Sequence, residues 1–291
     1  MPELPEVETI RQDLSQGILR KQIKKVEVKD SKVVEGAKGV WQKKLLGNKF
    51  VETKRIGKLL ALVLKNNVYL LIHLKMTGQL VYQKKNRLIA GGHPFSTKDE
   101  TKAIGGELPN KFTKLIITFS DNSQLFFNDM RRFGYARLVS KLNWNRTRDK
   151  FGPEPLTDDF KLPDFRKSLN FRRGTIKAVL LNQGIIAGLG NIYVDESLFL
   201  SKIDPRRKAN TLSSIEIKRL FANIEKVLRS AIKFRGTTFS DYVDNKGKRG
   251  NFSQKLRVYG QQGRKCVECQ NLIKKIKVAG RGTHICEICQ K

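Results

Sequence analysis

The sequence predicts an α+β fold: an N-terminal antiparallel β-sandwich with a leading helix, a C-terminal helical domain, and a zinc-finger β-hairpin. Three observations predict it. Residues from about 23 to 140 alternate short apolar runs with turn signals, the following hundred residues carry helical periodicity, and all four cysteines fall at the end of the chain. A length of 291 residues allows about two sizeable domains. The boundaries read as 1–150 for the sandwich, 151–253 for the helical domain and 254–291 for the cysteine module.

The leading helix begins almost at the terminus, in Met1-Pro2-Glu3-Leu4-Pro5-Glu6-Val7-Glu8-Thr9. Pro5 suits the first helical position, where its missing N–H costs nothing, and Val7, Ile10 and Leu14 continue with helical spacing. An initiator Met before a residue as small as Pro is normally removed, which leaves Pro2 with a free secondary amine. Such an amine attacks carbonyls and forms an iminium, the role otherwise given to a desolvated lysine. Its reference pKa lies near or somewhat above neutrality, and the positive end of the helix disfavours its protonated form. Glu3 is a candidate proton shuttle. The plain alternative is a Pro/Glu-rich helix start with no chemistry.

Strands follow at Leu59–Leu64, Tyr69–Leu74 and Lys114–Phe119, separated by turns such as Lys65-Asn66-Asn67 and Ser120-Asp121-Asn122-Ser123. Residues 84–111 break the pattern with a Gly-, Lys- and polar-rich stretch that reads as a mobile loop. Phe151-Gly152-Pro153-Glu154-Pro155-Leu156 ends regular structure and marks the domain boundary. Beyond it Ile176, Val179 and Leu180 share a helical face, as do Ile215, Leu220, Ile224, Val227 and Leu228 on a longer helix. Asn182–Tyr193 joins two helices through a glycine-rich turn. Asn191 reads as N-cap of the second, whose first N–H groups can bind a phosphate; tight packing explains such glycines about as often.

Cys266-x2-Cys269-x16-Cys286-x2-Cys289 has the spacing of two knuckles that hold one zinc ion through four thiolates. Four thiolates leave no open position, so this metal folds the module and does not catalyse. Gly280-Arg281-Gly282-Thr283 lies at the expected hairpin tip, and Arg281 can reach a phosphate or an active site.

Composition names the partner class. Fifty-eight Lys+Arg against 27 Asp+Glu give a net charge of +31, and the sequence pI is about 10.2. Charge of this size spread along the chain fits a phosphate-tracking surface. No apolar run approaches about 18 residues, no lipidation motif is present, and Glu3, Glu6 and Glu8 occupy the place of a signal peptide. The chain therefore reads as soluble, cytoplasmic and free of membrane. Asn128-Asp129-Met130-Arg131-Arg132-Phe133-Gly134 forms a turn between strands. Its Arg131 and Phe133 either wedge between bases where a nucleotide is flipped out, or are a solvated charge and a core ring. In His73-Leu74-Lys75-Met76-Thr77-Gly78, Met76 is similarly a duplex probe or ordinary packing, and His73 a phosphate donor or a strand histidine. Lys58 precedes an apolar strand and stands out only by context.

Together these motifs, in this order, resemble the formamidopyrimidine-DNA glycosylase family over nearly the whole chain. The resemblance rests on Pro2–Thr9, Gly57-Lys58, His73–Gly78, Asp129–Gly134, Gly152–Leu156, the helix–two-turn–helix Ile186-Ala187-Gly188-Leu189-Gly190-Asn191-Ile192-Tyr193, and the zinc module ending Cys289-Gln290-Lys291. It implies a monomeric bacterial base-excision repair enzyme acting on double-stranded DNA with a damaged base, bound in a cleft between the domains. Pro2 would attack C1′ of the damaged nucleotide, displace an oxidised purine such as 8-oxoguanine or a formamidopyrimidine, and cut the strand by β,δ-elimination. Glu3 would handle proton transfer, Lys58 would act as proton donor and phosphate contact, and Arg281 would be the zinc-hairpin arginine. His73, Arg173 and Asn191 match DNA-backbone positions, Met76, Arg131 and Phe133 the inserted triad, and Ser240–Asp244 the segment closing over the base.

Four features depart from the family pattern. Lys75-Met76-Thr77-Gly78 stands where Gly-Met-Ser-Gly is usual, Phe112 replaces a common DNA-contacting histidine, the 84–111 stretch is long, and Asn182 replaces a frequent Asp. Two rival readings are a sibling endonuclease VIII-type glycosylase for oxidised pyrimidines and a non-catalytic DNA-binding zinc protein.

Overall fold

A computed structural model describes residues 1–85, 87–92, 100–237 and 252–291. They form two compact units. One holds residues 1–149 with 234–237, the other Lys150–Lys233 with Phe252–Lys291.

The first unit opens on helix α1 (Leu4–Ile18), which starts one residue earlier than its proline suggests. Pro5 is the second helical residue because Glu3 takes the N-cap and Leu4 the first turn. Strands β1 (Ile23–Val28) and β2 (Val34–Glu35), helix α2 (Lys38–Leu45), and strands β3 (Phe50–Ile56), β4 (Leu59–Leu64), β5 (Val68–His73), β6 (Gly78–Lys84) and β7 (Arg87–Gly92) follow. Helix α3 (Glu100–Ala103), strands β8 (Thr113–Phe119), β9 (Gln124–Asp129) and β10 (Tyr135–Ser140), and helix α4 (Lys141–Arg148) complete it. Two five-stranded sheets result, ordered β1-β8-β9-β6-β7 and β2-β10-β5-β4-β3; pairing is antiparallel except between β2 and β10. Asn67 and Asn122 take the left-handed conformation in the turns their sequences mark.

The buried apolar core lies between the sheets. Leu60, Leu62, Leu70 and Ile72 from one sheet meet Leu80, Leu115, Ile117 and Phe127 from the other. Helix α1 adds Val7, Ile10, Leu14 and Ile18 to that core and packs along β3 and β7, the terminal strands of the two sheets. It thereby closes an edge of the sandwich that would otherwise be open.

The stretch expected as a loop contains strand β7. Val81, Ala90, Ile116 and Phe126 pack together on the outer face, while Ile89 reaches the main core. Gly91 and Gly92, which read as loop residues, instead allow close approach: a Cβ on Gly91 would lie 2.1 Å from Ile10 Cγ1.

The second unit is helical. Helices α5 (Leu162–Asn170), α6 (Ile176–Leu181), α7 (Asn191–Leu200) and α8 (Ser214–Lys233) precede a hairpin of β11 (Lys274–Val278) and β12 (Arg281–Ile285). On α8 the buried face is Ile217, Leu220, Ile224, Val227, Leu228 and Ala231. Ile215 leaves that stripe and is 77% exposed, because it sits in the first turn before the helix meets its neighbours.

Candidate active site and nucleic-acid interface

Pro2 is buried immediately before α1. Glu3 and Glu6 are also buried, and Glu6 Oε2 accepts the Glu3 N–H at 2.9 Å. Its Oε1 accepts the Thr237 N–H at 2.8 Å and the Thr237 hydroxyl at 3.2 Å. Gly236 passes so close that a Cβ there would lie 2.6 Å from Glu6 Oε1. One carboxylate thus holds the chain start and residue 237 together, at a helix end whose dipole favours negative charge. Glu6 was not singled out by its sequence context. Its signal is the spacing of three residues between Glu3 and Glu6, that of a capping box. Ser240–Asp244 lie outside the described residues.

One turn further on, Glu8 accepts Arg11 Nη2 at 2.6 Å and Arg55 Nε at 3.0 Å. Burial would raise the Glu8 carboxyl, but the hydrogen bond from Arg11 and the charge of Arg55 hold it below the usual carboxylate range. Arg55 Nη1 also donates to Gly57 O at 2.9 Å. The guanidinium therefore ties α1 to the β3–β4 turn, where Gly57 has φ +55° and Lys58 is buried.

His73 ends β5 half-buried. Its Nδ1 accepts the Lys75 N–H at 3.0 Å, so the neutral ring carries its proton on Nε2. Burial, then the charges of Lys75 and Lys58, push its pKa down to about 3. His73 is a neutral donor at working pH. Lys75 has φ +50°, a left-handed conformation that glycine adopts without cost; a side chain there costs about 1–2 kcal/mol.

Asp129 organises the two neighbouring turns. It is fully buried, and its Oδ1 accepts the Thr77 hydroxyl at 2.5 Å and the Arg131 N–H at 3.2 Å. Its Oδ2 accepts the Gly134 N–H at 2.7 Å. Thr77 also accepts the Arg131 N–H at 3.0 Å, which explains how threonine serves where the family has serine. The result gathers three side chains from two turns. Arg131 Nη1 stands 3.7 Å from Met76 Sδ, and its guanidinium lies 4.8 Å from the centre of the Phe133 ring. Met76 is 44% and Phe133 52% exposed, so neither is core packing. Phe112, in the histidine position, is half-buried with the Lys111 ammonium 5.3 Å from its ring.

In the second unit Gly190, not Asn191, is the N-cap of α7. Asn191 is the first helical residue, and its Nδ2 donates to Gly282 O at 2.8 Å while its Oδ1 is buried without a partner among the described residues. Lys177 and Asp195 form a buried ion pair at 2.5 Å. Lys177 reaches Gly282 O at 3.4 Å, and Asp195 Oδ2 accepts the His284 N–H at 2.9 Å. These contacts hold the start of β12, where Arg281 is exposed. The hairpin turn is Ala279-Gly280, both at positive φ, so Arg281 is the first strand residue and pairs with Val278. Arg173 is exposed before α6 and makes no hydrogen bond or ion pair among the described residues. Asn182 Oδ1 accepts the Gly184 N–H at 2.9 Å, so this residue shapes the glycine-rich turn.

The four cysteine sulfurs lie within 4.8 Å of one another, with Cys266–Cys289 at 3.9 Å and Cys269–Cys286 at 3.4 Å. Tetrahedral Zn–S bonds of about 2.3 Å require sulfurs about 3.8 Å apart, so the residues fit one structural zinc ion. Cys266 and Cys286 pack with Phe199, Val258 and Ile273, and Gln290 links the Cys286 N–H (3.0 Å) to Ile203 O (2.9 Å). The four-cysteine site is thus built into the core of this module. No helix among the described residues is long and apolar enough to cross a membrane.

Three family models match the chain. These are the formamidopyrimidine-DNA glycosylase N-terminal domain over residues 1–136, the formamidopyrimidine-DNA glycosylase H2TH domain over 151–243, and the zinc finger found in FPG and IleRS over 263–291. The formamidopyrimidine-DNA glycosylases of Heliobacterium modesticaldum and Listeria monocytogenes are each 38% identical to it over 100% of both chains. A crystal structure of a Lactococcus lactis Fpg variant with Fapy-dG containing DNA matches with a TM-score of 0.86 at 34% identity, covering 100% of each chain.

Two expectations follow from this geometry. Asp129→Asn turns a donor towards an N–H that now meets a carboxylate oxygen, and should cost about 1–3 kcal/mol in denaturant unfolding while weakening lesion-duplex binding. Unchanged stability and binding would remove Asp129 from its organising place. Because the pKa of His73 is lower folded than unfolded, its contribution to stability is full above about pH 6.5 and lost as pH falls towards 3. Its ring resonances should not titrate between about pH 5 and 8; a midpoint near 6.5 would contradict the buried neutral ring.

Proposed function

This chain belongs to the formamidopyrimidine-DNA glycosylase family, and from that premise we propose that its N-terminal amine performs the chemistry. The protein is a base-excision repair enzyme, a bifunctional DNA glycosylase and AP lyase acting on duplex DNA that contains a damaged base. The observation that carries the assignment to Pro2 is its buried place at the positive end of α1, directly beside Glu3.

Once Met1 is removed, the Pro2 nitrogen has a lone pair in a field that disfavours its protonation. It forms a bond to C1′ of the damaged nucleotide as the C1′–base bond breaks, and the base leaves with a proton. Opening of the sugar gives an iminium between Pro2 and C1′. The iminium acidifies C2′, so loss of a C2′ proton expels the 3′ phosphate, and a second elimination expels the 5′ phosphate. Glu3 is the group placed to carry protons at these steps. Lys58 and the neutral His73 are read as donors to phosphate, the latter supplying a hydrogen bond without a charge that varies with pH. The Met76–Arg131–Phe133 group is read as the element that fills the duplex where the damaged nucleotide leaves the stack.

On the second unit, Asn191 and Arg173 are read as contacts to the DNA backbone, and Arg281, the zinc-hairpin arginine, as a catalytic residue. Arg281 gains a defined position from the contacts to Gly282 and His284, and zinc, when bound, holds the module that carries it. Oxidised purines are the proposed lesions and the bacterial cytoplasm the proposed compartment.

The variants Pro2→Gly and Glu3→Gln test these roles. On a duplex with 8-oxoguanine opposite cytosine, each should lose at least about 100-fold in single-turnover base release. Binding of a duplex with a non-cleavable abasic analogue should stay close to that of the natural protein. Base release at the natural rate by either variant would overturn its role.

A further inference from the structure

Antiparallel pairing sorts the connections of the sandwich onto two ends. The turns carrying Gly57-Lys58, Met76 and Arg131–Phe133 lie at the end where α1 begins, since Glu8 meets Arg55 while Leu19 bridges Phe50 at the far end of β3. The seven residues of β3 span about 20 Å between those ends.

The far end is a single stitched surface. The Arg20 N–H donates to Phe50 O at 2.8 Å, the Ile23 N–H to Asn48 O at 2.7 Å, the Lys65 N–H to Lys49 O at 3.0 Å, and the Ser120 N–H to Gln22 O at 2.8 Å. The Asn48 and Asn66 side chains both reach Lys44 O, at 3.4 and 3.3 Å. Arg20, Lys43, Lys44 and Lys65 are exposed on it and Lys49 half-buried. None of the five forms an ion pair among the described residues. The carboxylate in these segments is Asp121, already held by Lys21 at 2.8 Å and Lys84 at 2.9 Å.

Several other cations of this unit are held by carboxylates. Glu8 lies between Arg11 and Arg55, Glu27 between Lys25 and Lys29, and Asp30 between Arg132 and Lys114. Helices α1 and α2 both end at the far surface, and their C-terminal dipoles favour a cation each by about 0.3–1 kcal/mol. That accounts for Arg20, Lys43 and Lys44, but Lys49 and Lys65 lie on neither helix. An uncompensated cationic surface repels itself unless a polyanion covers it.

We propose that this distal face binds a second segment of duplex DNA, which allows direct passage of the protein from one duplex to another. The proposal rests on DNA being the substrate and goes beyond it: a duplex engaged at the Met76–Phe133 end leaves the far end, about 20 Å away, open to another.

The test compares the natural protein with Lys43→Gln/Lys44→Gln/Lys65→Gln in the full chain, after thermal unfolding has shown equal stability. Dissociation from a labelled undamaged duplex is followed as unlabelled duplex is added. The natural protein should leave faster as competitor rises, and the variant at a nearly constant rate. Neutralising three phosphate contacts lowers the salt slope by about 2.7, so the variant's loss of long-duplex affinity between about 50 and 200 mM salt should be about 40-fold smaller. Base release from a short lesion duplex should be unchanged. Equal competitor dependence in both proteins, or none in either, overturns the proposal, as does a variant that loses competitor dependence only when the competitor is RNA. Failure of both proteins to release a base from the short duplex would instead strike the DNA-repair reading, and the proposal with it.

Discussion

The buried Asp129 carboxylate is the constraint on which the presenting face of the first unit depends. Both connections it touches cross from one sheet to the other. The chain passes from β5 to β6 through Leu74–Thr77, and from β9 to β10 through Met130–Gly134. They run side by side because His73 pairs with Tyr135 and Gly78 with Asp129. Without an anchor, two such loops would hold three large exposed side chains at a heavy cost in conformational entropy. Asp129 supplies the anchor by accepting Thr77, Arg131 and Gly134, and Gly134 leaves no space for a Cβ, which would lie 2.9 Å from His73 O.

The same device recurs. Glu6 joins the Glu3 N–H to Thr237, Glu8 joins α1 to the turn of Lys58 through Arg55, and Asp195 joins Lys177 to β12 beside Arg281. Glu196, also buried, accepts the N–H groups of Arg257, Val258 and Tyr259 at about the entry to the zinc module. In a chain of net charge +31 these few carboxylates thus act as organisers, holding backbone N–H groups and neighbouring cations in place. The cations they leave outside face solvent or phosphate. Removing one such carboxylate strands several donors at once, so its effect is larger than that of any exposed lysine.

Much of this is legible in the sequence. Strand and helix periodicity, the turn asparagines and the cysteine spacing are local signals, and the fold class follows from them. The errors have physical causes. Strand β7 is hidden because Gly91-Gly92 resembles a loop, whereas Gly91 admits Ile10 of α1 and Gly92 the backbone of Gly78 and Gln79. Asn191 has the residue type of an N-cap, but Gly282 O competes for its side chain across the fold. Met76 and Phe133 were ambiguous between core and surface, a choice that exposure alone decides. Nothing local marks Asp129, Glu8 or Asp195 as organisers, because Thr77, Arg55, Lys177 and the His284 N–H reach them only through topology.

The proposed chemistry rests on the amine of Pro2. Its most direct test is peptide mapping of the adduct formed when borohydride reduces the complex with duplex DNA carrying 8-oxoguanine. The added sugar mass should fall on the N-terminal peptide, beginning at Pro2 after loss of Met1. Its appearance on a lysine, Lys58 above all, would contradict the N-terminal mechanism and leave the family's fold with a different nucleophile.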